Sequence, residues 1–487
     1  VINVLRHPDQ TVADDVFFMS VLGRLWAVGF EIDWPQIWGD ATRNKVVLPG
    51  YQFQQSPYFI ERSASEARHV PTRLIRRDDI ADWGYVPHWQ KRYAECALDI
   101  GSDLGTPMSW LIFADEAGVS QPVTERLRTA GHTVTEVITG DSFARVSEDC
   151  YALAPEQGRD GYDQLIADLV ATGRAPERIA HFWALTQDET FRPGSSFFHR
   201  MQEQGFYSLM FLAQAISGEG LPVPLHISVI STDAHSVAGQ TARYPEKATL
   251  SGPVKVIPAE FPGVTVSWLD ISAPKRQNSG LFTKKNATDQ LIDPILEELL
   301  STPVNVIAAL RSGTRYVQTT QAKTLDVSEN PWSLEEGASV LITGGFGGIG
   351  QSLARDFITR FKAKIVLLSR KDLPVRSDWS GLAPADPAAR YVSAVKELEA
   401  LGGEILCLSG DVCNAQDMQA VREAAEARFG PLNGVIHAAG VIADAPILAK
   451  GAGSVEAVFT PKIHGTQVIS KVWEDGALDW LVLFSSS

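Results

Sequence analysis

The chain has 487 residues, 45% of them hydrophobic and 21% charged, the balance expected of a soluble globular protein with two or three domains. A formal net charge of −15 argues against a nucleic-acid partner, because neutralising phosphates takes clustered Lys and Arg, and no apolar run approaches the ~18 residues that a bilayer span requires. The four cysteines, Cys96, Cys150, Cys407 and Cys413, are too few and too scattered for a disulfide framework or a zinc site, so no metal is expected and a reducing cytoplasm fits best.

Val1 to Gln10 lacks the charged-then-apolar layout of a secretory signal and reads as a place where a longer chain was cut. Between residues 11 and 34, Phe17, Phe18, Val21, Leu22, Leu25 and Trp26 paint one side of a helix, giving a small helical tail before Gly29. Lys45 to Phe59 alternates proline, glycine and aromatics without a helical or strand period, which predicts an extended strap lying across a neighbouring domain. The charge-rich stretch 61–82 reads as linker.

From Trp110 the pattern becomes strand, helix, strand. Strands are expected at Trp110–Ala114, Thr133–Ile138, Ile179–Leu185, Leu225–Ser231 and Thr265–Asp270, with helices near 119–129, 198–217 and 288–300. The order restarts at Val340, with strands at Val340–Thr343, Lys364–Ser369, Glu404–Leu408, Gly434–His437 and Trp480–Phe484, and helices near 350–361, 391–401, 415–428 and 464–474. Gln321 to Leu334 is the crossing between the two halves. Apolar strands bounded by helices predict an α/β fold of two tandem Rossmann-like, doubly wound parallel sheets, the second interrupted by the chain end.

The strongest chemical signal is Thr343-Gly344-Gly345-Phe346-Gly347-Gly348-Ile349-Gly350, which leaves an apolar strand and opens a helix. Glycines let the backbone approach a pyrophosphate, and the helix start offers it unpaired N–H groups. The equivalent turn of the first half reads Asp115-Glu116-Ala117-Gly118, whose carboxylates would repel phosphate, so that half is expected to hold no cofactor. After the second strand of the binding half stand Ser369-Arg370-Lys371, a hydroxyl with cations where an acid would favour NAD, which points to NADPH. Asp411-Val412, after the third strand, is placed to hold the adenine, with a simple turn cap as the alternative for Asp411. His437-Ala438-Ala439-Gly440 follows the fourth strand, where small residues would let the chain pass beneath the nicotinamide ribose.

With these residues in hand, the chain resembles the ketoreductase region of modular type I polyketide synthases, within the short-chain dehydrogenase/reductase superfamily. The resemblance rests on Thr343 to Gly350, Asp411-Val412, His437 to Gly440, Pro461-Lys462 with Gly465, and Leu483-Phe484-Ser485-Ser486, in order. It extends to Tyr85-Val86-Pro87-His88-Trp89, Phe206 to Gln214 and Pro245-Glu246-Lys247-Ala248 of the first half. It implies an acyltransferase C-terminal tail at 1–40, a post-acyltransferase linker at 41–82, a reductase structural subdomain without cofactor at 83–330, and a catalytic Rossmann subdomain at 331–487. The implied activity is NADPH-dependent reduction of the β-ketone of an acyl chain tethered by phosphopantetheine to an acyl carrier protein. Neighbouring ketosynthase and acyltransferase domains, and a homodimeric parent synthase, are implied as partners.

The resemblance gives Ser486 as the hydroxyl that hydrogen-bonds the carbonyl and Lys462 as the lysine that lowers the pKa of a tyrosine acid; the two are 24 positions apart. The tyrosine and its following asparagine are expected past Ser487. Asp444, ending Ile442-Ala443-Asp444, matches the last acid of the Leu-Asp-Asp motif of B-type reductases, although Ala443 departs from it. Two other readings are a non-catalytic scaffold, disfavoured by the intact glycines and Lys462, and a free-standing dehydrogenase, disfavoured by the tail and the non-binding first half.

Overall fold

The computed structural model describes residues 2–40, 77–186, 195–221, 223–273, 289–325, 333–474 and 476–485. The segment Val1–Arg76 forms one compact unit and Arg77–Ser487 another. In the first unit the expected helical tail is present as α1 (Asp14–Ala27), with Asp14 and Asp15 in its first turn where acids complement the helix dipole. A short α2 (Trp34–Trp38) follows, capped by the Asp33 carboxylate, which accepts from the Gln36 amide at 3.2 Å. The expected strap at 45–59 and the linker as far as residue 76 lie outside the described residues.

The described residues of the second unit build two sheets. The first takes β1 (Tyr85–Lys91), β2 (Ser109–Phe113), α3 (Ser120–Thr129), β3 (Thr133–Thr139), β4 (Ala144–Ser147), β5 (Cys150–Leu153), α4 (Asp160–Ala171), β6 (Arg178–Ala184), α5 (Ser195–Met201), α6 (Ser208–Glu219), β7 (Leu225–Thr232), α7 (Ser251–Glu260), β8 (Val264–Ile271), α8 (Asp289–Leu300), β9 (Val306–Arg311) and β10 (Thr314–Ala322). Its order is β1-β10-β9-β8-β7-β6-β2-β3-β5-β4. The second takes β11 (Ser339–Thr343), α9 (Gly348–Phe361), β12 (Lys364–Ser369), α10 (Ala389–Ala400), β13 (Ile405–Ser409), α11 (Ala415–Phe429), β14 (Gly434–His437), α12 (Ala452–Phe459), α13 (Gly465–Val472) and β15 (Trp480–Leu483), ordered β13-β12-β11-β14-β15.

All five strands of the second sheet run parallel, as expected. In the first sheet the five expected strands, β2, β3, β6, β7 and β8, are parallel as expected, and β5 and β9 join them in parallel; further strands that sequence periods do not mark are added at both edges. There β1, β10 and β4 are antiparallel to their neighbours. One cause is local: Ser312 and Gly313 both take positive φ, 49° and 75°, the geometry of a two-residue hairpin that turns β9 straight back into β10.

Side chains of the inner strands alternate between two buried layers. Leu111 and Phe113 enter one core and Trp110 and Ile112 the other, while Val340 and Ile342 face away from Leu341 in the second sheet. The helix expected at 198–217 is interrupted by a π-helical turn at Gln202–Tyr207, and a second π turn, Thr460–His464, joins α12 to α13. The two sheets share a core, since Ile447 and Val455 of the second pack among the buried residues of the first.

Burial of His181 and His226 in the first sheet pushes both down to about 3 from the usual 6.5. The unfolded chain then binds protons that the folded chain refuses, so stability is full above pH 6.5 and falls as pH drops from there towards 3. Each histidine contributes at most about 1.4 kcal/mol per pH unit within that window. Urea midpoints measured from pH 7.5 to 5 should begin to fall near pH 6.5; a midpoint flat over that range would contradict the burial of these rings in neutral form.

Candidate dinucleotide site

The site forms where the strand order of the second sheet reverses, between β11 and β14, at their C-terminal ends. There a cleft of about 950 Å³ opens, with Thr343, Gly344, Phe346, Gly347 and Gly348 along one side and Ala438, Ala439 and Gly440 along the other. Gly344 has φ +68°, and a Cβ there would lie 2.8 Å from the Ala439 Cα. A Cβ on Gly350 would meet the Gly345 Cα at 2.7 Å. These two glycines let main chain lie on main chain. Gly348 differs, since a Cβ there would meet nothing within 4 Å and would project into open space.

The amides of Gly348, Ile349 and Gly350 form the first turn of α9, where the helix offers no acceptor, and the N-cap Gly347 supplies no side chain to cap them. Bare amides at a helix start beside glycines fit the diphosphate of a dinucleotide. In the first sheet the same corner is filled from within. The Asp115 carboxylate accepts from the amides of Val119 at 3.0 Å and Ser120 at 2.8 Å, and so takes the donors that an anion would need.

The other sequence-predicted residues divide into those that reach the cleft and those behind it. Ser369, Arg370, Asp411 and Val412 line it. The Ser369 hydroxyl donates to the Lys371 carbonyl at 2.7 Å, while Asp411 accepts from the Cys413 amide at 2.9 Å within its turn; the helix that follows is capped by Asn414, so Asp411 does not fill the cap position that was its alternative reading. His437 stands behind the wall, with its ring between the Thr343 hydroxyl at 2.7 Å and the Pro461 carbonyl at 2.8 Å. Burial lowers its pKa, and the neutral tautomer with Nε2 protonated donates to Pro461 while Nδ1 accepts from Thr343.

Lys462 sits in the π turn, partly buried, and its ammonium donates to the Phe484 carbonyl at 2.9 Å; desolvation lowers its pKa. Gly440 makes room for it, because a Cβ there would lie 2.8 Å from the Lys462 Cε. Ser486 lies outside the described residues, two positions past Phe484, and Asp444 is exposed in the segment after Gly440. Sequence reasoning missed Arg390 and Tyr391, at the start of α10, which also line the cleft. The Arg390 guanidinium lies 4.6 Å from the Tyr391 ring centre, and Tyr391 stands edge-on to Phe346 at 4.8 Å. They come from a helix start with no glycine or strand signal to mark it.

Fold and site together define a two-lobed Rossmann-type protein, in which one lobe opens a cleft at the glycine turn and the other closes the same corner with a carboxylate. Residues 338–487 match the KR domain family, while residues 109–286 match a family described as beta-ketoacyl synthase-like, N-terminal. The second match lies within the first sheet, and neither falls on residues 1–40, read above as an acyltransferase tail.

Over most of its length the chain is similar to regions of modular polyketide synthases. It is 22% identical over 473 residues to polyketide synthase PksL of Bacillus subtilis (strain 168), covering 96% of this chain and 9% of that protein. It is 26% identical over 433 residues to one of the phenolphthiocerol/phthiocerol polyketide synthase proteins of Mycobacterium tuberculosis (strain CDC 1551 / Oshkosh), covering 87% and 21%. The chain therefore spans about a tenth to a fifth of the length of these relatives. Its fold matches an N-terminal ketoreductase from the macrolactin assembly line, with TM-score 0.63, 22% identity, and 83% and 74% of the two chains covered. It also matches A-type ketoreductases from a modular polyketide synthase, with TM-score 0.58, 21% identity and the same coverage.

The glycine geometry separates two substitutions. Gly350→Ala should destabilise by about 1–3 kcal/mol, as overpacking against backbone does. Gly348→Ala should leave stability equal or slightly higher, because alanine is the better helix residue and meets no neighbour. Urea unfolding of both variants checks the contrast, and equal losses would contradict the packing described.

Proposed function

We propose that the second sheet is an NADPH-dependent β-ketoacyl reductase and that its substrate is a β-ketoacyl chain tethered by phosphopantetheine to an acyl carrier protein. The observation that carries this reading is the uncapped start of α9 facing a cleft that also presents Ser369 and Arg370. When bound, the nicotinamide supplies hydride to the β-carbonyl carbon. The amides of Gly348 to Gly350 would hold the diphosphate, and Arg370 with Ser369 the 2′-phosphate.

Lys462 would act by charge, favouring the ionised form of the tyrosine acid that the resemblance implies, while the Ser486 hydroxyl hydrogen-bonds the carbonyl oxygen as negative charge grows there. The partly buried position of Lys462 against the Phe484 carbonyl, two residues before Ser486, supports that pairing. In the same reading the first sheet is the reductase's structural half, residues 1–40 are an acyltransferase tail, and Asp444 favours the B-type alcohol. The setting is a homodimeric cytoplasmic synthase with ketosynthase and acyltransferase neighbours.

Thermal melts with and without NADPH test the cofactor site. The unaltered protein should gain melting temperature with NADPH, whereas Gly348→Ala should fold equally well and lose that gain; a full gain in the variant would remove the helix start from the site. Arg370→Glu should weaken NADPH by roughly tenfold or more while changing NADH little, since a charge-assisted contact is worth about 1.5–3 kcal/mol. An unchanged NADPH/NADH preference in titrations would separate Arg370 from the 2′-phosphate.

A further inference from the structure

The cleft wall after Gly440 is held from the other lobe. Ile447 begins a short turn whose backbone is gripped on both sides by side chains of the first sheet's helices. The Gln214 amide, buried on α6, donates to the Ile447 carbonyl at 2.6 Å and to the Lys450 carbonyl at 2.9 Å. The Glu260 carboxylate, at the end of α7, accepts from the Ile447 amide at 2.6 Å. The Ile447 side chain is itself buried in the first sheet's core. From the far end of this turn the Lys450 ammonium reaches back to the Ala443 carbonyl at 3.0 Å, tying down the strip that leaves Gly440 and Val441 at the cleft.

We infer that Gln214 and Glu260 are positioning residues of the nucleotide cleft: by clamping the Ile447 peptide groups, they hold the Gly440–Asp444 strip in the place where it closes the cleft. The inference rests on the cofactor reading above and adds a role for the first sheet that neither the glycine turn nor Lys462 requires. Its physical basis is the cost of leaving buried backbone groups without partners. Removing Gln214 strands the Lys450 carbonyl and leaves the Ile447 carbonyl only the Lys450 amide at 3.2 Å, and removing Glu260 strands the Ile447 amide, so the turn would open towards water and slacken the strip it anchors.

The test uses the full chain carrying Glu260→Ala, Glu260→Gln or Gln214→Ala, with hydrogen exchange and NADPH titration at a temperature where every variant is folded. Glu260→Ala and Gln214→Ala should speed exchange of the amides between Gly440 and Lys450 and weaken NADPH about fivefold, the effect of one lost hydrogen bond. Glu260→Gln keeps an oxygen acceptor for the Ile447 amide and should restore both readouts.

Faster exchange spread evenly over both sheets would overturn the inference, because it marks general loosening. So would unchanged NADPH affinity beside a locally opened strip, or failure of Glu260→Gln to restore binding. If the unaltered protein bound no NADPH, the cofactor reading would fall, and unchanged exchange at Gly440–Lys450 in the two alanine variants would separately sink the clamp.

Discussion

Everything at the cleft depends on bare main chain meeting bare main chain where β11 and β14 end. The Gly344 backbone lies against Ala438 and Ala439 so closely that a single added carbon would stand 2.8 Å from its neighbours. The Thr343 hydroxyl and the His437 ring tie the two strand ends together, and His437 then holds the Pro461 carbonyl. The floor of the site is therefore set by peptide groups and one neutral imidazole, none of which can swing aside as a long side chain would. From that floor the wall bearing Lys462 takes its position, one residue beyond the carbonyl that His437 holds.

The two lobes share one winding and differ in what satisfies the first turn of the equivalent helix. In the first lobe Asp115 spends both carboxylate oxygens on amides of the α3 start. In the second, Gly347 leaves the start of α9 uncapped. An anion approaching the first corner would have to displace a carboxylate held there by the chain itself and face its charge. The second corner asks only that water leave. The same architecture can thus present a filled corner or an open one, and the difference lies in a handful of turn residues.

Much of this was legible in the sequence because it is local. The parallel strands betray themselves as apolar runs, and Thr343 to Gly350 announces its turn by glycine spacing. What the sequence concealed is non-local. The antiparallel edge strands β1 and β10 pair across more than two hundred positions, Tyr85 with Ala322, and no short-range period records such a partnership. The short strands β4 and β5 are too brief for alternation to show. Arg390 and Tyr391 reach the cleft only because α10 packs beside α9, and His437 faces backward because Pro461 waits behind it. Residues whose role is fixed by what arrives from elsewhere carry no mark of it in their own neighbourhood.

The two π turns explain how the lobes are joined without closing the cleft. Each interrupts a long helix in the corresponding place, α5 to α6 in one lobe and α12 to α13 in the other, and the interrupted helices face each other. Phe206 stands edge-on to Phe459 at 5.1 Å, Phe198 stands edge-on to His464 at 5.3 Å, and the Tyr207 hydroxyl donates to Glu456. A π turn admits an extra residue and so rotates the face that the following helix presents. Upstream of the turn, Val455 and Phe459 pack into the first sheet's core. Downstream, Ile469 and Val468 pack into the second sheet's own. At the changeover the Thr460 carbonyl, which takes the Gly465 amide in the π turn, also accepts from the Cys413 thiol, and the Pro461 carbonyl accepts from His437. Lys462 stands where one helix changes allegiance between lobes, so its placement depends on both cores being packed.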